Sequence, residues 1–145
     1  MQSLLPMVII GLIAGVAVDI QSPLASMIGA RLGLLESVFI VHLGVMILAG
    51  IPLLLARGGQ LSSWQHVPWY ALGAGLLGGV VVGSVSLTIP RLGVATTVTL
   101  IVLGQLTIGA LADHYGLFGA VVRPIDAIRL VGIGLLLLGA WLVSR

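Results

Sequence analysis

The sequence predicts an all-α integral membrane protein of five transmembrane helices. Three observations carry that expectation: scarce charge, long apolar runs and abundant glycine within those runs. Of 145 residues, 59% are hydrophobic and only 7% charged, and the mean hydropathy is +1.28. A soluble domain typically carries about 25% charged residues. Six basic and four acidic side chains cannot build an aqueous skin, so a soluble fold is excluded. The 21 glycines suit helices that approach one another closely, because lipid supplies no hydrophobic drive for their association.

A helix needs about 20 predominantly apolar residues to cross a bilayer, and five segments meet or approach that length. The first covers residues 4–28; no basic residue precedes it, so it reads as a retained span and not a cleaved signal. The second covers 34–55 and begins beside Glu36. A polar loop, ARGGQLSSWQHVP, leads to the third at 69–89, opened by Trp69 and Tyr70, side chains suited to the interface. Pro90 and Arg91 then predict a tight turn into the fourth, 92–112. The segment DHYGLFGAVVRPID joins it to the fifth and shortest, 128–143, which has Trp141 near its end. Long continuous apolar runs argue against a β-barrel, whose strands alternate over about ten residues. The whole chain reads as one five-helix domain.

Charge placement bears on orientation. Basic residues near span ends favour the cytoplasmic side. With five spans, Arg57, Arg123 and Arg129 fall on one side, and Arg31, Arg91 and Arg145 on the other. This balance predicts insertion in both orientations and assembly as an antiparallel homodimer. Ten helices related by an axis in the membrane plane have the symmetry of inverted-repeat transporters, which bind substrate near the midplane. The alternatives are a single orientation, or pairing with a paralogous subunit.

Several polar side chains lie where lipid is expected. In GVAVDIQSP, residues 15–23, Asp19, Gln21 and Pro23 interrupt the first span. An ionised group at such depth costs roughly 2.5–3.5 kcal/mol and normally faces a cavity or a partner. At 100° per residue, Gly15, Asp19, Ser22 and Ser26 share one side, and Ala14, Ala17, Gln21 and Ala25 nearly the opposite one. Neither is a natural lipid face, so the helix is expected inside the assembly. Pro23 removes the hydrogen bond to the carbonyl of Asp19. Asp19 could couple proton movement or bind a cation; the competing role is a structural pair with a neighbouring helix.

Gln105, in the fourth span, either lines a cavity or acts as interhelical glue. Glu36 and His42, about 120° apart on the second span, do not form a metal pair. Glu36 suits the helix N-terminus, while His42 is either a proton relay or a neutral, hydrogen-bonded group. Asp113, His114 and Arg123, with Asp126, occupy one connection and suggest a loop network or, less directly, a gate. Gly11 with Gly15, and Gly79 with Gly83, form small-xxx-small pairs suited to helix packing.

No cysteine is present, which excludes disulfides and thiolate metal sites. There is no phosphate-binding loop and no nucleophile or metal-ligand constellation. The reading is therefore neither an enzyme nor an ATP-driven pump, with no cofactor or metal. The excess of basic over acidic residues is too small to indicate nucleic-acid binding. The expected partners are the lipid bilayer, a second copy and a small-molecule substrate.

The stretches PWYALGAGLLGGVVVG, IPRLGVAT, GQLTIGALADHYGLFG and VRPIDAIRLVGIGLLLLGAWL, with IQSPLASMIGARLG and ESVFIVHLG nearer the start, closely resemble the YdcZ (DUF606) family. That family belongs to the drug/metabolite transporter (DMT) superfamily. The resemblance covers nearly the whole chain, and its most specific element is the signature from Gly104 to Gly119. It implies a multi-pass bacterial inner-membrane protein of five helices per unit, occurring alone, as paired genes or as fused ten-helix chains, and acting as an exporter. It favours a cavity role for Gln105. Where the family has Asn four residues after the first-helix Gln, this chain has Ala25, so selectivity tied to that Asn does not transfer. The expected activity is secondary active export of a small polar or cationic metabolite by alternating access with proton coupling, the competing readings being one half of a heterodimeric transporter or a non-transporting scaffold.

Overall fold

A computed structural model describes residues 4–143 of the chain. Among them every regular element is helical: α1 (Leu5–Leu32), α2 (Leu34–Leu55), α3 (Trp69–Leu72), α4 (Ala74–Leu92), α5 (Val94–Tyr115) and α6 (Ala127–Val143). Four stretches are long and apolar enough to cross a membrane: α1, α2, the 24-residue run Trp69–Leu92 formed by α3 and α4, and α5. The predicted fifth span is a helix of 17 residues. At 1.5 Å per residue it reaches about 26 Å, short of the roughly 30 Å hydrocarbon core. Arg145, counted for orientation, lies outside the described residues.

Single glycines end two of the long helices. Gly33 adopts φ 124°, ψ 164° between α1 and α2, and Gly93 adopts φ 81°, ψ 165° ahead of α5. A side chain is strained in this region and glycine is not. Arg31 lies in the last turn of α1 and Glu36 in the first turn of α2, so each charge complements the dipole of its own helix end. The expected turn at Pro90 is not where the helix ends. Pro90 lies inside α4, costing one backbone bond, while Arg91 Nη1 donates to the Leu87 carbonyl at 2.6 Å. The helix ends instead at Leu92, before Gly93, whose φ of 81° suits a break. For the same reason α1 continues past residue 28 to the residue before Gly33.

The other connections use left-handed backbone. After α2, Arg57, Gly58 and Gly59 all have positive φ, followed by a 3-10 turn over Leu61–His66. Helix α5 ends on Gly116 (φ 64°, ψ 31°), whose N–H bonds to the Ala112 carbonyl, a left-handed helix cap. The signature GLFG continues with Phe118 at φ 58° and Gly119 at φ 81°.

The chain forms two compact units, one through Arg91 and the other from Leu92 onward. The centre of the first is small and hydroxyl-rich. It contains Ser22, Ala25 and Ser26 of α1, Ser37 of α2, and Val82, Val85 and Ser86 of α4. Ser37 Oγ donates to the Ala25 carbonyl at 2.7 Å and lies 3.1 Å from Ser86 Oγ. Ser86 also bonds the Val82 carbonyl, at 2.9 Å. Gly29 makes this approach possible, since a Cβ there would stand 2.9 Å from Ser86 Cβ. Small residues and hydroxyls thus do the joining that greasy cores do in water. Large apolar side chains such as Leu48, Leu54 and Leu76 point outward and are nearly four-fifths exposed, as a lipid-facing surface requires. In the second unit, α5 packs against α6 and against the turn that follows it.

Candidate functional site

Two polar groups emerge, one in each unit. On α1, Asp19 and Gln21 are exposed, and no side chain among the described residues hydrogen-bonds to either. Ser22, immediately beside them, is buried and donates to the Val18 carbonyl at 2.8 Å. The expected split of faces is not what is observed. Ser22, Ala25 and Ser26 are buried together in the C-terminal part of α1, while Asp19 and Gln21, up the helix from them, are exposed, because burial here follows where α2 and α4 pack along the helix. Gly11 and Gly15 are equally open, with nothing within 4 Å of an added Cβ. Gly79 and Gly83 are packed, against Val38 and against Leu34 with Val38 respectively.

On α2, Glu36 is exposed, and its carboxyl folds back into the space that a Gly33 side chain would fill. His42 Nδ1 lies 2.8 Å from the Val38 carbonyl. A carbonyl only accepts, so Nδ1 carries the hydrogen in this bond. Nε2 points at Gly78, where a Cβ would be 2.9 Å away. Gly78 thus makes the room for the imidazole, a role the spacing patterns did not reveal.

The second group lines a cleft of about 400 Å³ between α5 and α6. Gln105 and Asp113 stand eight residues apart on α5, about 12 Å along its axis. Gly109, Ala110 and Gly132 keep the walls low; Leu106, Ile133 and Leu136 make them apolar. Arg129 of α6 closes one end with a 3.0 Å ion pair to Asp113. Both side chains are about one-third exposed, so the pair borders the cleft and is not sealed in a core. Gln105 is exposed to the cleft side of its helix.

The same ion pair anchors the chain between the helices. Arg129 Nη1 also reaches the Arg123 carbonyl at 3.3 Å, and the Arg123 N–H donates to the Asp113 carbonyl at 2.8 Å. The Ile125 N–H donates to His114 Nδ1 at 3.1 Å, which requires that nitrogen to be unprotonated. The His114 ring meets Tyr115 edge-on at 4.7 Å. Asp126 caps α6 by accepting the Arg129 N–H at 2.8 Å, the usual N-cap bond. Arg123 takes part through its backbone alone. Arg129, read from sequence only as an orientation charge, is the side chain that joins the network.

A helical protein with four lengths able to cross a membrane and a lipid-suited exterior is a multi-pass membrane protein. Residues 6–142 match the family DMT_YdcZ, described as "Putative inner membrane exporter, YdcZ", and the chain belongs to that family. Its place is the inner membrane. No curated protein and no solved structure matches it.

Proposed function

We propose that the chain is half of an antiparallel homodimer of dual topology that exports a small polar or cationic metabolite by proton-coupled alternating access. The observation that carries this reading is Asp19. It lies well inside a 28-residue apolar helix, yet it is exposed and unpaired among the described residues. A carboxylate left on a lipid face is costly, so the bilayer must offer it a water-filled cavity or another subunit. A second, inverted copy supplies both. In this reading α6 is the fifth crossing, shortened because its partner covers it.

Substrate binds in the α5–α6 cleft, where the Gln105 amide orients a polar group and Leu106, Ile133 and Leu136 hold the apolar part. The Asp113–Arg129 pair gates that end of the cleft, and Asp19 exchanges the proton. Purified protein in liposomes, tested with guanidinium, amine, carboxylate and neutral solutes under a pH gradient, checks the activity. The expected result is flux of one class in the wild type and its loss in Asp19→Asn. Full flux in the mutant would remove the coupling role, and no flux in any class would favour a scaffold. C-terminal reporter fusions check the dimer: signal on one face only would point to a single orientation or a paralogous partner.

A further inference from the structure

Shifting the sequence by sixty residues brings the chain onto itself. We infer that residues 11–55 and 71–115 are two copies of one helix–glycine–helix unit, whose shared positions build the fold and whose unshared polar positions carry the function.

Four observations coincide at this single offset, without a gap. Arg31-Leu32-Gly33 recurs as Arg91-Leu92-Gly93, and Ser26 and Gly44 recur as Ser86 and Gly104. Helices α1 and α4 end at Leu32 and Leu92, while α2 and α5, each of 22 residues, cover Leu34–Leu55 and Val94–Tyr115. The intervening glycines share a positive φ and nearly the same ψ, 164° and 165°, and each carbonyl accepts from the residue four later, Ser37 or Thr97. Finally, the buried positions correspond one to one: Ser22 with Val82, Ala25 with Val85, Ser26 with Ser86, and Ser37 with Thr97. Lipid-facing helices have few ways to bury anything, so chance agreement at every buried position of both segments is a poor explanation.

The copies differ where the chemistry lies. Asp19, Gln21, Glu36 and His42 of the first correspond to Gly79, Val81, Thr96 and Val102 of the second. Gln105 and Asp113 of the second correspond to Val45 and Leu53 of the first. No intramembrane carboxylate, amide or imidazole is kept in both. The groups that the fold does not need have diverged completely, which marks them as specialised and not structural.

The repeat also bears on symmetry, a point that rests on the proposed transporter reading. α1 and α4 start their copies two crossings apart and so traverse the membrane in the same sense. The copies are parallel, and the inverted relation that alternating access uses must come from a second chain.

Reciprocal substitutions in the full-length protein test the inference, with thermal unfolding in detergent micelles as the readout. Thr97→Ser and Val82→Ser bring in the sister residue at buried, shared positions and should leave the melting temperature unchanged. Gly33→Ala and Gly93→Ala should both lower it, since both glycines hold a positive φ. Gln21→Val, His42→Val and Gln105→Val import the sister residue at unshared positions and should leave folding intact while abolishing flux of whichever solute class the wild type moves. An unchanged melting temperature in either glycine variant, or unfolding of the three valine variants, would overturn the repeat. If the wild type moves no solute, the transport reading fails while the melting data still judge the repeat.

Discussion

Arg129 Nη2 stands 3.0 Å from Asp113 Oδ2, tying the first turn of α6 to the last turns of α5. Around this pair the backbone of Arg123 is held at both its N–H and its carbonyl. A segment with little regular structure is thus held by the Arg129 side chain together with the Asp113 main-chain carbonyl and the His114 ring. Both members are about one-third exposed, so the pair itself contributes no more than about 1 kcal/mol; its weight lies in what it organises. Asp113→Asn should therefore lower stability slightly but raise hydrogen exchange at the Arg123 amide well above wild type. Exchange confined to wild-type levels would show that the segment is held without the charge.

The capping bond of Asp126 is a separate contribution. Asp126→Ala removes the acceptor for the Arg129 N–H and should cost about 0.5–2 kcal/mol, with Asp126→Asn retaining most of it. Titration with SDS in mixed micelles, monitored by far-UV circular dichroism, measures the difference.

Ser37 is fully buried, with its hydroxyl bonded to the Ala25 carbonyl and near Ser86. Ser37→Ala should destabilise by about 1 kcal/mol. The loss is expected to be non-additive with Ser86→Ala, since both hydroxyls converge on the same carbonyl. A double-mutant cycle decides: strict additivity would mean the two hydroxyls act independently.

Gly29 is where α1 has no room for a side chain. Gly29→Ala would force a Cβ to 2.9 Å from Ser86 Cβ, and overpacking of that kind costs about 1–3 kcal/mol. Gly15→Ala, in open space on the same helix, should be neutral in the isolated protomer. If it instead weakens association measured by cross-linking in membranes, the Gly11–Gly15 side belongs to an intermolecular contact.

At Gly116, φ is 64° and an added Cβ would meet Val122 Cγ2 at 2.8 Å. Gly116→Ala should cost about 1–2 kcal/mol through the left-handed backbone alone. Gly116→Asn, which tolerates that region better, should recover part of the loss in the same SDS titration.

The helices themselves were readable in the chain because lipid leaves no alternative: a long apolar run must satisfy its backbone internally. Their ends were less so. Pro90 looked like a stop, but proline removes only one bond and α4 runs on to Leu92, whereas Gly93 supplies a torsion that ends the helix. The polar candidates were found because charge and amide are rare in such a chain. Their neighbours were missed where the signal is a small residue: nothing in Gly29 or Gly78 announces that Ser86 or His42 will press against it. The twice-used Arg-Leu-Gly was present in the sequence all along, yet two short identities acquire meaning only when helix ends and buried positions agree with them.

Composition and apolar run length alone determined that this is a helical membrane protein, because desolvation of charge and of unpaired backbone is too costly to permit anything else. Family membership came from motif residues in the same string. Tertiary structure decided which part of α1 is buried, that Asp19 and Gln21 are exposed, and that Gln105, Asp113 and Arg129 share a cleft. Those outcomes depend on sub-ångström room between helices, set by glycines and hydroxyls whose partners lie up to 61 residues away. Helical periodicity can place a side chain on a face, but only packing determines what that face meets.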